Sequence, residues 1–183
     1  THFEKYDSFS IKHVKHVLDD FNEIITIAPH LQRIQQIKKI SYKMRRLSTS
    51  RLIANYIAKN FKTDFIIVGP DEESKQWADL VAQHFGKHAI ILKKHRYSWH
   101  KVKIENKNLG KNVIIIDDII GTGHTILETI KIAKKHGAKK ITVIGIHGVL
   151  VGKAAEKIKK HAALVTTNTI ENSYSKIDVS PII

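Results

Sequence analysis

Two adjacent acids stand at the end of an apolar run and are followed by small and hydroxyl-bearing residues. Asp117 and Asp118 follow the run 113–116, and after them come Gly121, Thr122, Gly123, His124 and Thr125. Carboxylates at a buried strand end are costly unless a divalent metal or sugar hydroxyls engage them. Glycines at a helix start let backbone N–H groups close around a phosphate. The combination predicts a ribose phosphate site, with a strand-to-helix turn capped by Asp and Thr as the alternative.

Ionisable residues also stand at the ends of the other apolar runs of the chain. His30, Asp71, Lys94 and Arg96 each lie just beyond such a run, and so does His147. Because ligands of open α/β sheets bind beyond the carboxyl ends of the strands, these side chains are candidates for one site. We interpret His147 as making a structural hydrogen bond. Trp77, on the helix after the Asp71 loop, is interpreted as a core residue.

Short runs rich in Ile and Val alternate with segments of helical period. The runs read as strands that are buried on both faces, at 24–27, 65–68, 89–92, 113–116 and 141–146. The helical segments lie at about 10–20, 46–60, 73–85, 125–136 and 151–160. Gly86 and Gly137 are placed to end two of these helices. The alternation predicts an α/β fold with a parallel sheet and helices on both faces.

Composition narrows the class of protein. The 183 residues carry 31 Lys and Arg against 17 Asp and Glu, a formal charge of +14, which favours anionic ligands. Only five of those cations are Arg, which disfavours nucleic acid as a partner. The absence of Cys excludes thiol chemistry and fits a reducing compartment, and no apolar run reaches the length of a membrane span. We therefore expect a cytoplasmic protein with no membrane partner.

Several segments together resemble one enzyme family. The stretch 114–125, IIIDDIIGTGHT, resembles the phosphoribosyl-pyrophosphate signature of the type I phosphoribosyltransferase fold. Four further stretches resemble ribose-phosphate pyrophosphokinase in its archaeal form, namely IITIAPHLQRIQ, IIVGPDEESKQWADLVAQHFG, ILKKHR and VIGIHGVLVGKAAEKI. LVTTNTI resembles the family's closing strand. The match runs from about Asp7 to the end of the chain.

The resemblance implies an activity and a set of site residues. The family transfers the diphosphoryl group of ATP to the 1-hydroxyl of ribose 5-phosphate, which yields phosphoribosyl pyrophosphate and AMP. Lys94 and Arg96 would be catalytic, Arg96 would also contact ATP, and a lid over 93–110 would exclude water. His30 and Asp71 would bind Mg²⁺. The ribose 5-phosphate site would comprise Asp117, Asp118, Gly121, Thr122, Gly123, His124 and Thr125.

The chain departs from the family in two respects. It has no counterpart of roughly the family's first third, which holds adenine, so the ATP site is expected to be incomplete. We accordingly interpret 1–62 as the end of an N-terminal phosphoribosyltransferase-like domain and 63–183 as the catalytic domain. Glu72, Glu73 and Ser74 stand where the family usually has glycines, which adds negative charge beside the diphosphate. By analogy with the family, a homodimer or larger assembly is expected.

Two alternatives remain open on the sequence. A phosphoribosyltransferase acting on a nucleobase would share the segment 117–125, although no base-recognising hood is recognisable. A non-catalytic relative that binds ribose phosphate and regulates a full-length synthase is the other alternative, and the missing N-terminal third favours it.

Overall fold

The structure is a computed structural model that describes residues 18, 20–29, 44–62, 64–92 and 109–183. Contacts divide the chain into two compact units, Thr1–Leu47 with Ile183, and Ser48–Ile182. In the first unit, β1 (Ile24–Ile27) pairs in parallel with β2 (Met44–Leu47). The division of the chain into 1–62 and 63–183 stays a prediction, as does the kinship of the first part to the second.

The second unit is built on a six-stranded sheet in which every neighbouring pair is parallel. Its strands are β3 (Ile66–Gly69), β4 (Ile90–Ile91), β5 (Asn112–Ile119), β6 (Lys140–His147), β7 (Ala163–Thr167) and β8 (Ser175–Ile177). They lie in the order β4-β3-β5-β6-β7-β8. The predicted α/β fold with a parallel sheet is confirmed.

The helices of this unit are α1 (Ser50–Asn60), α2 (Lys75–Gln83), α3 (His124–Lys135) and α4 (Ala154–Lys159), and a 3₁₀ turn covers Ser180–Ile182. Helix α1 packs on α2, and α3 packs on α4. The chain leaves β3 toward one edge of the sheet and leaves β5 toward the other. Right-handed crossovers therefore place α2 and α3 on opposite faces. No helix within the described ranges is both long enough and apolar enough to cross a membrane.

One predicted helix boundary is wrong, and two strands are additional. The helix expected to begin near 46 begins at Ser50, because Met44–Leu47 pairs with β1 as a strand. Met, Arg and Leu are good helix formers, so pairing with a distant segment overrides local propensity here. Strand β8 is the second addition to the predicted set. The helix expected over 10–20 lies, apart from Leu18 and Asp20, outside the described residues.

The central strand β5 provides a rigid base for the acids at its carboxyl end. Ile114, Ile115 and Ile116 of β5 are fully buried, as expected of a strand covered by helices on both faces. A well-packed central strand holds the residues at its carboxyl end in place.

Two glycines mark the ends of helices that flank the sheet. Gly86 lies beyond α2 with a φ angle of 63°, and Gly137 lies beyond α3 with a φ angle of 96°. Such left-handed conformations are typical of the residue that ends a helix, so their predicted role is confirmed.

The strand order creates a crevice at one position of this sheet. The chain runs from β3 outward to β4 and then returns to the other side of β3 to form β5. The carboxyl ends of β3 and β5 therefore send their connections in opposite directions. Open α/β sheets bind ligands at such a switch point. Asp71 follows β3, and Asp117 and Asp118 lie near the end of β5, so both acidic segments flank this crevice.

Candidate functional site

The two acids of β5 are buried and held by backbone donors. Asp117 is 8% exposed and Asp118 is 4% exposed. The N–H of Asp118 donates to Oδ1 of Asp117 at 3.1 Å, and the N–H of Ile119 donates to Oδ1 of Asp118 at 2.8 Å. These bonds fix the orientation of each carboxylate. Neighbouring residues of a strand point to opposite faces of the sheet, so the two carboxylates lie at the same edge but in different surroundings.

Asp117 lines a small cavity together with the segment that leads into α3. The cavity measures about 220 Å³ and is lined by Asp117 and by residues 119–126. Gly123 has a φ of 75° immediately before α3, a left-handed conformation that favours glycine. The amino end of α3 carries the positive end of the helix dipole. A carboxylate and a positive helix end therefore border one cavity.

The glycine loop, residues 120–123, is held by backbone hydrogen bonds to the end of β6 and to the segment that follows it. The N–H of Ile120 donates to the carbonyl of His147 at 3.0 Å. Leu150 and Val151 donate in return to the carbonyls of Ile120 and Gly121, at 2.9 and 3.0 Å. The loop is thus positioned by backbone hydrogen bonds, which do not depend on its side chains.

A glycine in β6 makes room for this arrangement. A Cβ on Gly145 would lie 2.5 Å from Cδ1 and 2.9 Å from Cγ1 of Ile120, whose side chain is buried. Gly145 pairs with Asp117 across the sheet. Sequence reasoning did not single out this residue, although a glycine inside a strand is a recognised sign of close backbone approach.

The acid loop, residues 70–74, is closed by its own side chains. Oδ1 of Asp71 accepts hydrogen bonds from the N–H groups of Glu73 and Ser74, both at 3.1 Å. The hydroxyl of Ser74 donates to the carbonyl of Asp71 at 2.8 Å and accepts from its N–H at 3.1 Å. Ser74 is fully buried, whereas the side chain of Glu72 is exposed. Asp71 therefore shapes the turn that leads into α2.

A side-chain hydrogen bond from Trp77 links helix α2 to β5. The indole N–H of Trp77 donates to Oδ2 of Asp118 at 3.2 Å, and both side chains are buried. Trp77 is a core residue, as interpreted from the sequence, and it also contacts a candidate site residue. An indole three positions beyond an acidic loop was the available signal for this second role.

The other candidates separate into described and undescribed residues. His30, Lys94, Arg96 and residues 93–108 of the predicted lid (93–110) lie outside the described residues, so their roles stay predictions. His147 shares a hydrogen bond of 3.0 Å between its Nδ1 and the hydroxyl of Thr169, which agrees with a structural role. Thr122 and His124 are exposed and Thr125 is half-buried.

The donor set of the described residues bears on the predicted Mg²⁺ site. No three His, Asp or Glu side chains converge as a metal cluster in the ranges that the structure covers. Mg²⁺ is commonly held by one or two carboxylates together with substrate phosphates, and it prefers oxygen ligands. The carboxylate of Asp71, half-buried at the switch point, has the chemistry that such a site needs.

Comparisons with known proteins agree with the family resemblance of the sequence. A family model for the phosphoribosyl transferase domain matches residues 27–181. Ribose-phosphate pyrophosphokinase of Methanothermobacter thermautotrophicus is 32% identical over 99% of this chain and 65% of its own length. Ribose-phosphate pyrophosphokinase 2 of Archaeoglobus fulgidus is 29% identical over 99% of this chain and 67% of its own length. The chain thus spans about two thirds of the length of these curated relatives.

Solved structures agree on the fold. Phosphoribosylpyrophosphate synthetase from Mycobacterium smegmatis superposes with a TM-score of 0.76 at 25% identity, over 90% of this chain and 55% of that one. Adenine phosphoribosyltransferase from Saccharomyces cerevisiae reaches 0.52 at 16% identity, over 64% of this chain and 75% of that one, which shows a shared fold alone. The chain belongs to the phosphoribosyl transferase domain family, has the predicted type I phosphoribosyltransferase fold and is similar to archaeal ribose-phosphate pyrophosphokinases.

Proposed function

We propose that this chain has ribose-phosphate diphosphokinase activity. In this reaction the diphosphoryl group of ATP is transferred to the 1-hydroxyl of ribose 5-phosphate. The products are phosphoribosyl pyrophosphate and AMP. The observation that carries the proposal is the pair of buried carboxylates at the switch point of the sheet, of which Asp117 lines a cavity at the amino end of α3. Similarity to ribose-phosphate pyrophosphokinases along 99% of the chain supports it.

The substrate sugar would be held by the edge of β5 and the glycine loop. Asp117 and Asp118 would accept hydrogen bonds from ribose hydroxyls. The 5-phosphate would lie against the backbone of Gly121, Thr122 and Gly123 and at the start of α3, with His124 and Thr125 beside it. The cavity of about 220 Å³ has room for a phosphate group together with part of a sugar.

The acid loop would help to bind the diphosphoryl group that is transferred in the reaction. Asp71 and His30 would hold Mg²⁺, and when bound this ion would neutralise negative charge on the phosphates of ATP. Lys94 and Arg96 would bind the transferred group and stabilise its charge in the transition state. Positioning two substrates in line is the main requirement of phosphoryl-type transfer, and the crevice provides two walls for it.

The remaining expectations about partners belong to the same proposal. ATP and ribose 5-phosphate are the proposed substrates, and a homo-oligomer is the proposed assembly. The cytoplasm is the proposed compartment. Nucleic acid stays disfavoured, because the charge excess of +14 is mostly Lys and the proposed ligands are themselves anionic.

The decisive experiment measures binding and turnover separately. Titration calorimetry with ribose 5-phosphate is expected to detect one site in the intact protein. Incubation with ribose 5-phosphate, ATP and Mg²⁺ is expected to release AMP and phosphoribosyl pyrophosphate in equal amounts, as followed by phosphorus NMR. A protein that does not bind ribose 5-phosphate contradicts the proposed site. Binding without AMP release contradicts the diphosphoryl transfer and leaves the non-catalytic relative.

Lys94→Ala distinguishes the proposed diphosphoryl transfer from the proposed binding of ribose 5-phosphate. The substitution removes a cation assigned to the moving diphosphoryl group, so it is expected to lower kcat about 100-fold or more while ribose 5-phosphate still binds. Formation of a nucleotide from phosphoribosyl pyrophosphate and a nucleobase, with no AMP release from ATP, would instead identify a phosphoribosyltransferase.

A further inference from the structure

Trp77 joins the acid loop to the end of β5 at the switch point. It is the third residue of α2, and its backbone N–H donates to the carbonyl of Ser74 at 3.1 Å. Ser74 in turn exchanges two hydrogen bonds with the backbone of Asp71. The indole of Trp77 reaches across to Oδ2 of Asp118. A continuous series of contacts therefore connects the acid loop to the end of β5.

The indole is suited to orienting a carboxylate that must stay negative. Its N–H is a donor only, and its ring is rigid and tightly packed. Asp118 is held at Oδ1 by the N–H of Ile119 and at Oδ2 by Trp77, at 2.8 and 3.2 Å. Neither donor carries a charge, so these two bonds orient the carboxylate without neutralising it.

We propose that Trp77 is a positioning residue for sugar recognition: its indole N–H holds the Asp118 carboxylate in the orientation that accepts a ribose hydroxyl. This inference rests on the proposed function, because that function assigns ribose hydroxyls to Asp118. The inference goes further than the proposed function. It assigns to a residue of α2 part of the site's binding preference for a sugar phosphate over inorganic phosphate. The phosphate itself is bound elsewhere, by the glycine loop and α3.

Trp77→Phe tests the proposal because it keeps an aromatic ring and removes the donor. Calorimetry is expected to show ribose 5-phosphate affinity about tenfold lower, which corresponds to about 1.4 kcal/mol. Affinity for inorganic phosphate is expected to be unchanged, since phosphate does not contact Asp118. In an Asp118→Asn background, Trp77→Phe is expected to have little further effect, because the two residues act through one hydrogen bond.

Val81→Ala is the matched control. Val81 is a buried residue of the same helix, and its truncation loosens α2 without removing the indole donor. This variant is expected to unfold at a lower temperature while the affinity ratio of ribose 5-phosphate to phosphate stays that of the unaltered protein. If Val81→Ala changes the ratio as much as Trp77→Phe does, the hydrogen bond is not responsible and the proposal is wrong.

Fluorescence provides a readout that does not require Trp77 to be replaced. The chain has two tryptophans, Trp77 and Trp99, so in Trp99→Phe the tryptophan emission comes from Trp77 alone. Ribose 5-phosphate is expected to shift this emission, and inorganic phosphate is not. The absence of any shift at saturating sugar phosphate, or unchanged affinity in Trp77→Phe, overturns the role of Trp77 only. Absence of ribose 5-phosphate binding in the unaltered protein overturns the proposed site as well.

Discussion

The acid loop after β3 and the glycine loop at the end of β5 solve the same structural problem by different means. Both connect the carboxyl end of a buried strand to a helix at the switch point. The acid loop uses side chains, with Asp71 and Ser74 bonded to each other's backbone. The glycine loop is held by backbone hydrogen bonds from residues after β6 and relies on a positive φ at Gly123.

The difference shows how each loop can be varied. In the acid loop, the shape depends on which side chains can accept a hydrogen bond, so residues of similar chemistry preserve it. In the glycine loop, the shape depends on space and on backbone freedom, so an added side chain has a cost where either is limited. The positive end of a helix suits a phosphate, whereas carboxylate oxygens suit a metal ion or hydroxyls.

The largest expected effect concerns the acid that lines the cavity. Asp117→Asn keeps an oxygen acceptor for the N–H of Asp118 but removes the charge offered to the sugar. Ribose 5-phosphate affinity is expected to fall about 10- to 100-fold by calorimetry. Asp178→Asn, just beyond β8 at the same edge of the sheet, is the control and is expected to leave affinity unchanged. Equal losses in the two variants would contradict the assignment.

The next effect concerns the space behind the glycine loop. Gly145→Ala forces the buried Ile120 to move and is expected to lower the free energy of unfolding by about 1–3 kcal/mol, as measured by urea denaturation. Phosphate binding is expected to weaken as well, because Ile120 belongs to the loop. Gly121→Ala has no atom within 4 Å of the added Cβ and is expected to unfold like the unaltered protein.

A smaller effect separates the two roles of Asp71. Asp71→Ala removes the acceptor that closes the acid loop and is expected to cost about 1 kcal/mol of stability. Asp71→Asn keeps that acceptor and is expected to be as stable as the unaltered protein. If Asp71 also binds Mg²⁺, Asp71→Asn requires more Mg²⁺ for half-maximal activity. An unchanged Mg²⁺ requirement would restrict Asp71 to shaping the loop.

The smallest effect is expected at Asp178, away from both loops. Hydrogen bonds from the Ser180 hydroxyl, the Ser180 N–H and the Asn168 amide hold the pKa of Asp178 below its ordinary value. A depressed pKa contributes stability that is present above the unfolded-state pKa and lost as pH falls through the folded one. Ser180→Ala is expected to raise the pKa of Asp178 in an NMR titration. An unchanged pKa would show that the Ser180 hydroxyl is not the main cause of the lowered pKa of Asp178.

Several features are accessible from sequence because they depend on local pattern. Uninterrupted Ile and Val runs predict β1 and the interior strands, and Gly86 and Gly137 mark helix ends. The candidate site residues at the ends of β3 and β5 follow from the rule that parallel strands share an edge. Strand β2 escapes such reasoning because Met44–Leu47 has helix-forming residues and becomes a strand only by pairing with β1.

The sequence by itself determined the fold class and which reactive residues stand at the ends of two strands. Both follow from the periodicity of the apolar residues and from the order of residues along the chain. Tertiary structure alone decided which faces meet. It set the strand order that brings Asp71 and Asp118 to one switch point, the packing of Ile120 against Gly145, and the bond from Trp77 to Asp118. These contacts join residues far apart in the chain, and their existence depends on packing geometry that local propensity does not contain.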